Sequence, residues 1–597
     1  MSDGNEGRSR LARAAAIGVI LLFLLAPVVA ARLPSNPLND LFALGKGEGQ
    51  RPEKAQIQNP PAPPVQPAPR AQCGPGARPE PDVQGRVPAG AAREGLWCNM
   101  TLVGRHGTSG GFKVLRYVDA AGHECAYYDT ALLFPLNAVN LATDGLGVVT
   151  LDMSDPASPK QTELLTEIPM LTPHESLSLN AQRGLLAAVS GNPATAPGVV
   201  ALYDLSQDCR HPKLQFTRPL ARFGHESGFA QDGRTFYATG TGAESITAID
   251  VSDTQRPSVL WQGAITAHGM TLSDDGNRAY AADPGGNMVI LDTSEIQARK
   301  ADPKVREVSR LTWTPSSIPQ NAIPFTSGGK PYVLEFDEYS GGATGGNPDD
   351  VGAARIVDIA DETKPRVIAN LRLEVNQPAQ HRAASGDPGA ASPVQGYGAH
   401  YCNIPTRTDP KLVACTFIAS GLRLFDISEL TQPKEIGYFV APTNARVENL
   451  AQASSFAMSQ PAFVPERREV WYSDGTSGFY VLRVSEAVWP KAGAPTAPAT
   501  TPAAPAAGTK RRCAGRRRFA VRVRLPRGAR VRSIRATLNG RPVRGARRKG
   551  RYVRLTVDLR RMTKSTATLR VRVRLRGGRK AVTARRVYHP CTARRAG

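Results

Sequence analysis

Four histidines recur at one phase of a repeated sequence: His174 in "TPHESLSL", His225 in "FGHESGFA", His268 in "TAHGMTLS" and His400 in "GAHYCNIP". Each opens a short alternating stretch of strand type, so their side chains occupy equivalent places in successive repeats. The matching places in the other repeats fall at Gln320, at Ser459 or Gln460, and at Asp129. Three or four convergent imidazoles would hold a transition metal, with Zn, Cu, Mn or Fe as the ions that suit nitrogen donors. Glu175 and Glu226 follow two of the histidines, but strand alternation is expected to turn them away from the first side chain. The plainer expectation is structural: each histidine bonds an aspartate in a neighbouring turn, with Asp144, Asp283 and Asp474 as candidates.

The elements that must position these residues are repeats. A strand ending in Asp, then an apolar residue, then Ser or Ala, recurs as "VTLDMSDPASPK", "VALYDLSQD", "TAIDVSDTQRPS", "VILDTSE", "ARIVDIADETKPR" and "RLFDISELTQPK". A seventh copy, "YVLRVSE", carries Arg483 instead. Each unit supplies about four antiparallel strands, the pattern of a propeller blade. In such a ring the first strand of each blade lines a central channel, which puts the histidines, Gln320 and Gln460 at the channel.

The recurring Asp-apolar-Ser/Ala-acid phrase, seen in "DMSDPASPK", "DIADETKPR" and "DISELTQPK", resembles that of LVIVD-repeat proteins. The resemblance covers about residues 132–489 and implies a β-propeller, often extracellular; it implies little about activity. The expected fold is all-β: a seven-bladed propeller over 96–490, followed by a small Ig-like β-sandwich over 510–597. Ring closure is expected from Phe112–Thr130, completing the last blade.

The formal charge of +24 is localised. Of 75 Lys and Arg, 32 lie in 510–597 beside one acid, Asp558, leaving 43 basic against 50 acidic residues elsewhere. Such a domain would attach to an anionic cell-wall or lipid surface, and the export signal argues against nucleic acid as partner. That signal is Arg8, Arg10 and Arg13 before "AAAIGVILLFLLAPVVAA", which reads as a signal peptide or anchor over 1–31. Residues 32–95 read as a disordered Pro-rich tether, and 491–509 as a Pro/Ala/Thr linker.

Eight cysteines in an exported chain imply disulfides. The expected pairs are Cys513 with Cys591, Cys402 with Cys415, and Cys98 with Cys125. The Gly-rich stretch around 339–352 lacks a phosphate-loop pattern, and its neighbours Asp337, Glu338, Asp349 and Asp350 are at best a calcium set. No nucleophile or dinucleotide motif is present. The expected function is therefore an envelope binding module presenting a propeller face to a protein or glycan, with no cofactor required. The alternative is a metal-dependent oxidoreductase or hydrolase built on the four histidines.

Overall fold

The computed structural model describes residues 49–490 apart from 131–144, 192–195, 241–243, 285–286, 342–345, 391–395 and 444–453. It also describes 518–588 apart from 527–529, 540, 544, 551, 559–566 and 577–581. The signal segment, the linker, Asp144, Cys513 and Cys591 lie outside the described residues. No helix among the described residues is long and apolar enough to cross a membrane. The chain divides into two compact units, Met1–Gly493 and Ala494–Gly597.

The first unit is a β-propeller of seven blades, each with four antiparallel strands in the order inner to outer. The inner strands are Val114–Val118, Ser178–Asn180, Glu226–Phe229, Met270–Leu272, Ile318–Ser327, Ala399–Asn403 and Ala462–Val464. The repeated aspartates end the third strand of the first six blades, at Asp152, Asp204, Asp250, Asp292, Asp358 and Asp426. Every one accepts the backbone N–H two residues on, from Ser154, Ser206, Ser252, Ser294, Ala360 and Ser428, at 2.8–3.0 Å. The phrase therefore encodes a side-chain turn that stops the strand, while the residue between, apolar in five of the six and Thr293 in the fourth blade, is buried.

Closure differs from expectation. Phe112–Thr130 supplies the two inner strands of the first blade, Val114–Val118 and Glu124–Asp129, because the Asp-bearing strand is third in its unit and needs two before it. The ring is closed by the earlier strand Met100–His106, which pairs antiparallel with Gly478–Val484 as the outer strand of the seventh blade.

The segment expected as a disordered tether is ordered from residue 49 and follows the outer edges of successive blades. Gln50 bridges Gly263 of the third blade, and Ile57–Gln58 adds a parallel strand to Arg306–Leu311 of the fourth. Ala68 N–H donates to Arg372 O beyond the fifth. Leu96–Cys98 adds an antiparallel strand to Lys434–Val440 of the sixth. Proline frequency misleads here because an outer-edge segment needs few ladder hydrogen bonds, and covering edges is what blade rims require. The belt is pinned by Arg423, buried between Glu80 of the belt and Glu435 of the blade at 3.0 Å from each.

Cys402 and Cys415 are joined across the sixth blade, and the register places them opposite one another. The expected Cys98–Cys125 pair is not formed: Cys73 joins Cys98, tying belt to added strand, and Cys125 joins Cys209 in the next blade. Belt ordering, invisible in composition, brings Cys73 to Cys98 and leaves Cys125 for the adjacent blade.

The second unit has two sheets. Arg518–Arg524, Tyr552–Asp558 and Arg547–Lys549 form one; Arg541–Pro542, Val531–Leu538, Ala567–Leu575 and Val582–Tyr588 form the other. Val523, Val553, Leu555, Leu569, Val571 and Val573 from both sheets share one buried cluster, as alternation of Val or Leu with Arg requires.

Candidate metal centre in the propeller channel

The structure brings His174, His225, His268 and His400 together at one end of the channel, from the second, third, fourth and sixth blades. Each sits just before or at the start of an inner strand, and all four are buried. His225 Nε2 and His268 Nε2 lie 2.8 Å apart. The rings of His174 and His225 are 4.5 Å apart between centroids, and those of His225 and His268 4.8 Å.

Sequence reasoning misplaced the carboxylates. Glu175 turns inward rather than away: its Oε2 is 3.2 Å from His225 Nε2 and 3.1 Å from His268 Nε2, and its Oε1 is 3.3 Å from His400 Nε2 and 3.9 Å from His174 Nε2. His174 has a positive φ of 50°, a left-handed kink that breaks strand alternation, and regular strand begins only at Ser178. Glu338, grouped by sequence with a calcium loop, instead ends the second strand of the fifth blade. It reaches His400 Nε2 at 3.0 Å and His268 Nδ1 at 3.6 Å. The other acids of that set go elsewhere: Asp337 pairs with buried Arg355, and Asp349 with Arg382.

Two hydrogen bonds aim the rings. His268 Nδ1 lies 2.9 Å from the carbonyl of Pro319, and His400 Nδ1 2.9 Å from that of Met458. A carbonyl can only accept, so each Nδ1 carries its proton and each Nε2 is left to face the cluster. A ligand imidazole is commonly oriented in this way. The aspartates expected to hold the histidines have other partners: Asp283 takes Arg310, and Asp474 takes Ser455, Phe456 N–H and Thr476.

Buried charge is matched within the cluster. Glu175, Glu226 and Glu338 are buried, Lys113 pairs with Glu226 at 3.0 Å, and imidazoles surround the other two carboxylates. Burial alone would raise the Glu175 carboxyl, yet the imidazoles of His268, His174 and His225 hold it well below the usual carboxylate range. Burial opposes protonation of His268 and His400, but the glutamates around them overcome it and push both up to about 9. His174 goes the opposite way: burial and its neighbouring imidazoles, outweighing Glu175, take it well below the ordinary value. Burial raises Glu226, with Glu175 adding to the effect.

The donor set fits a cation. Glu175 with His174 and His225, and Glu175 with Glu338 and His400, each offer one ligand atom apiece within 4.8 Å of one another. Metal–ligand bonds of about 2.1 Å put adjacent ligands roughly 3.0–3.4 Å apart in octahedral or tetrahedral arrangements. The spacings of 3.1–3.3 Å from Glu175 to His225, His268 and His400 fall in that range, while the 2.8 Å between His225 and His268 lies just below it and the 3.9 Å from Glu175 to His174 above it. His174 Nδ1 and Glu175 Oε2 are buried without a hydrogen bond of ordinary geometry.

The predicted channel positions divide. Gln320 is fully buried and neither amide atom has a hydrogen-bond partner. Gln460 helps line a separate cavity of about 240 Å³ in the same channel. Its other walls include Lys113, Glu226, Asn321, Asn180 and Arg407. Asn321 donates to Glu226 Oε1 at 2.6 Å, and Lys113 Nζ lies 3.8 Å from the Tyr401 ring centre. Glu226, directly following His225, thus belongs to the cavity wall.

No protein-family model matches this chain, and no curated protein matches it. Among solved structures, it is similar to the β-propeller domain of Swd1 from Myceliophteria thermophila, at 12% identity over 64% of this chain and 99% of that one, TM-score 0.41. The periplasmic gluconolactonase of Pseudomonas aeruginosa aligns at 16% identity over 57% and 92%, TM-score 0.39. A 6-phosphogluconolactonase-like protein of Bacteroides fragilis aligns at 14% over 57% and 90%, TM-score 0.38. The chain is a β-propeller protein with an appended β unit.

Proposed function

We propose that this protein is a metal-dependent β-propeller in which His174, His225, His268, His400 and Glu175, with Glu338 beside them, hold one first-row transition ion. The observation that carries it is the pair of carbonyl-locked rings, His268 on Pro319 and His400 on Met458, whose Nε2 atoms converge on Glu175. An all-nitrogen and oxygen set without thiolate favours Zn, Mn, Fe or Cu in their divalent forms. The ion would supply Lewis acidity, and the cavity behind Glu226 would admit a small polar molecule to that region. Hydrolase or oxidoreductase chemistry is the class this supports.

Three disulfides favour an oxidising compartment, and the basic, apolar N-terminal run favours export. The Asp-capped turns support placing the repeats with the LVIVD type, and the two-sheet C-terminal unit supports an Ig-like assignment.

Elemental analysis of the full chain purified without added metal, alongside His225→Ala and His268→Ala, tests the reading. About one transition ion per chain, lost in both variants while the circular dichroism of the propeller persists, is the expected result. A metal-free wild type that also fails to take up any of the four ions on dialysis would overturn it, leaving a proton-balanced structural network.

A further inference from the structure

The C-terminal unit carries a feature the channel does not explain. In its larger sheet, the register sets Arg535 directly opposite Arg572, Ser533 opposite Arg574 and Thr537 opposite Arg570. Arg535, Arg570, Arg572 and Arg574 are all exposed, while Ala536, Val571 and Val573 between them are buried. The arginines therefore share one outer face. Residues alternate along a strand, so Arg570, Arg572 and Arg574 recur about every 7 Å in a straight line, with Arg535 about 5 Å to the side.

Like charges directly opposite on neighbouring strands destabilise a sheet. Relief would ordinarily come from cross-strand acids, but the strands of this sheet contain none, and the single acid of 510–597, Asp558, lies on the other sheet. Within 510–597, 28 of the 32 basic residues are arginine. Guanidinium binds oxyanions through a planar fork, which ammonium cannot match. A row of forks at regular spacing fits an anion that repeats.

We infer that this outer face is a docking surface for a linear phosphodiester polymer without bases, of the polyol-phosphate kind. Ser533, Thr537 and the four arginines offer donors for phosphate and hydroxyl, and among the described side chains of this face none is an aromatic ring on which a base could stack. The disulfides of the first unit favour an oxidising compartment, outside the cytosol where most nucleic acid is held. The role of the face would be to hold the propeller at a surface rich in this polymer.

The test uses the full chain and the triple variant Arg570→Ser/Arg572→Ser/Arg574→Ser, with equal melting temperature of the C-terminal unit as the folding control and Arg535→Ser as a milder second variant. Binding to purified poly(glycerol phosphate) is titrated between 50 and 200 mM salt, beside single-stranded DNA and anionic phospholipid vesicles. Wild type should prefer the polyol phosphate. The triple variant should lower the slope of log affinity against log salt by about 2, and Arg535→Ser by about 0.7. An unchanged slope in the folded triple variant overturns the inference, as does tighter binding to DNA or to vesicles.

Discussion

His225 and His268, from adjacent blades, present their Nε2 atoms to each other at 2.8 Å, with the Glu175 carboxylate within 3.2 Å of both. Two nitrogens can share that spacing through one proton or one ion. The Asn amide N–H can take the place of His268 Nδ1–H on the Pro319 carbonyl, so His268→Asn should remove a ligand while keeping that contact with the fifth blade. The expected outcome is a metal affinity at least 10- to 100-fold weaker with melting temperature changed little. Competition with a chelator of known affinity measures it, and an unaltered affinity would exclude His268 from the ion.

Gly269, next in the chain, is fixed by Glu226. A Cβ there would stand 1.6 Å from Glu226 Oε2 and 2.5 Å from Gln320 O. Gly269→Ala must therefore displace the Glu226 carboxylate and its contacts with Lys113 and Asn321. A loss of about 1–3 kcal/mol is expected in urea unfolding, from buried partners left unmatched. Gly228→Ala meets a backbone oxygen instead and serves as a comparison that spares Glu226.

The repeat and the histidine phase were legible because both are periodic: Asp152 to Asp426 mark third strands, and the histidines mark inner ones. Glu175 was not, since a strand rule turned it outward and only the left-handed backbone at His174 returns it to the channel. Glu338 comes from a second strand, so no spacing within one inner-strand phase could reach it. The belt was missed for a different reason. Its hydrogen bonds are to blade rims and its anchor is a charge, Glu80 on Arg423, neither of which appears as apolar periodicity.

That anchor predicts an asymmetric result. Arg423 is buried with Glu80 and Glu435 against it, so Arg423→Met leaves two carboxylates without their cation and should destabilise by roughly 3–5 kcal/mol. Glu80→Gln keeps one carboxylate on Arg423 and should cost less. Limited proteolysis after Arg70 or Arg78 should speed up in both variants before the propeller itself unfolds. Equal protection in wild type and Arg423→Met would show that the belt is held by other contacts.

The Cys125–Cys209 disulfide and the turn joining the two inner strands of the first blade meet at Asp119. Its Oδ1 accepts the backbone N–H groups of Ala121, Gly122 and His123 at 2.7–3.1 Å, and its Oδ2 accepts Cys209 N–H and faces His123 Nδ1 at 2.8 Å. Burial pushes this carboxyl up, but the His123 contact and these N–H groups outweigh it and hold it below the usual value of 3.8. A carboxyl depressed in the folded state stabilises above its unfolded value and loses that contribution as pH falls through the folded one. Asp119→Asn, whose amide would turn a donor toward Cys209 N–H or His123, should therefore cost about 1–3 kcal/mol at pH 7 and less at pH 3. Urea unfolding of both proteins at the two pH values gives the comparison; a gap that is constant or widens toward acid would refute the assignment.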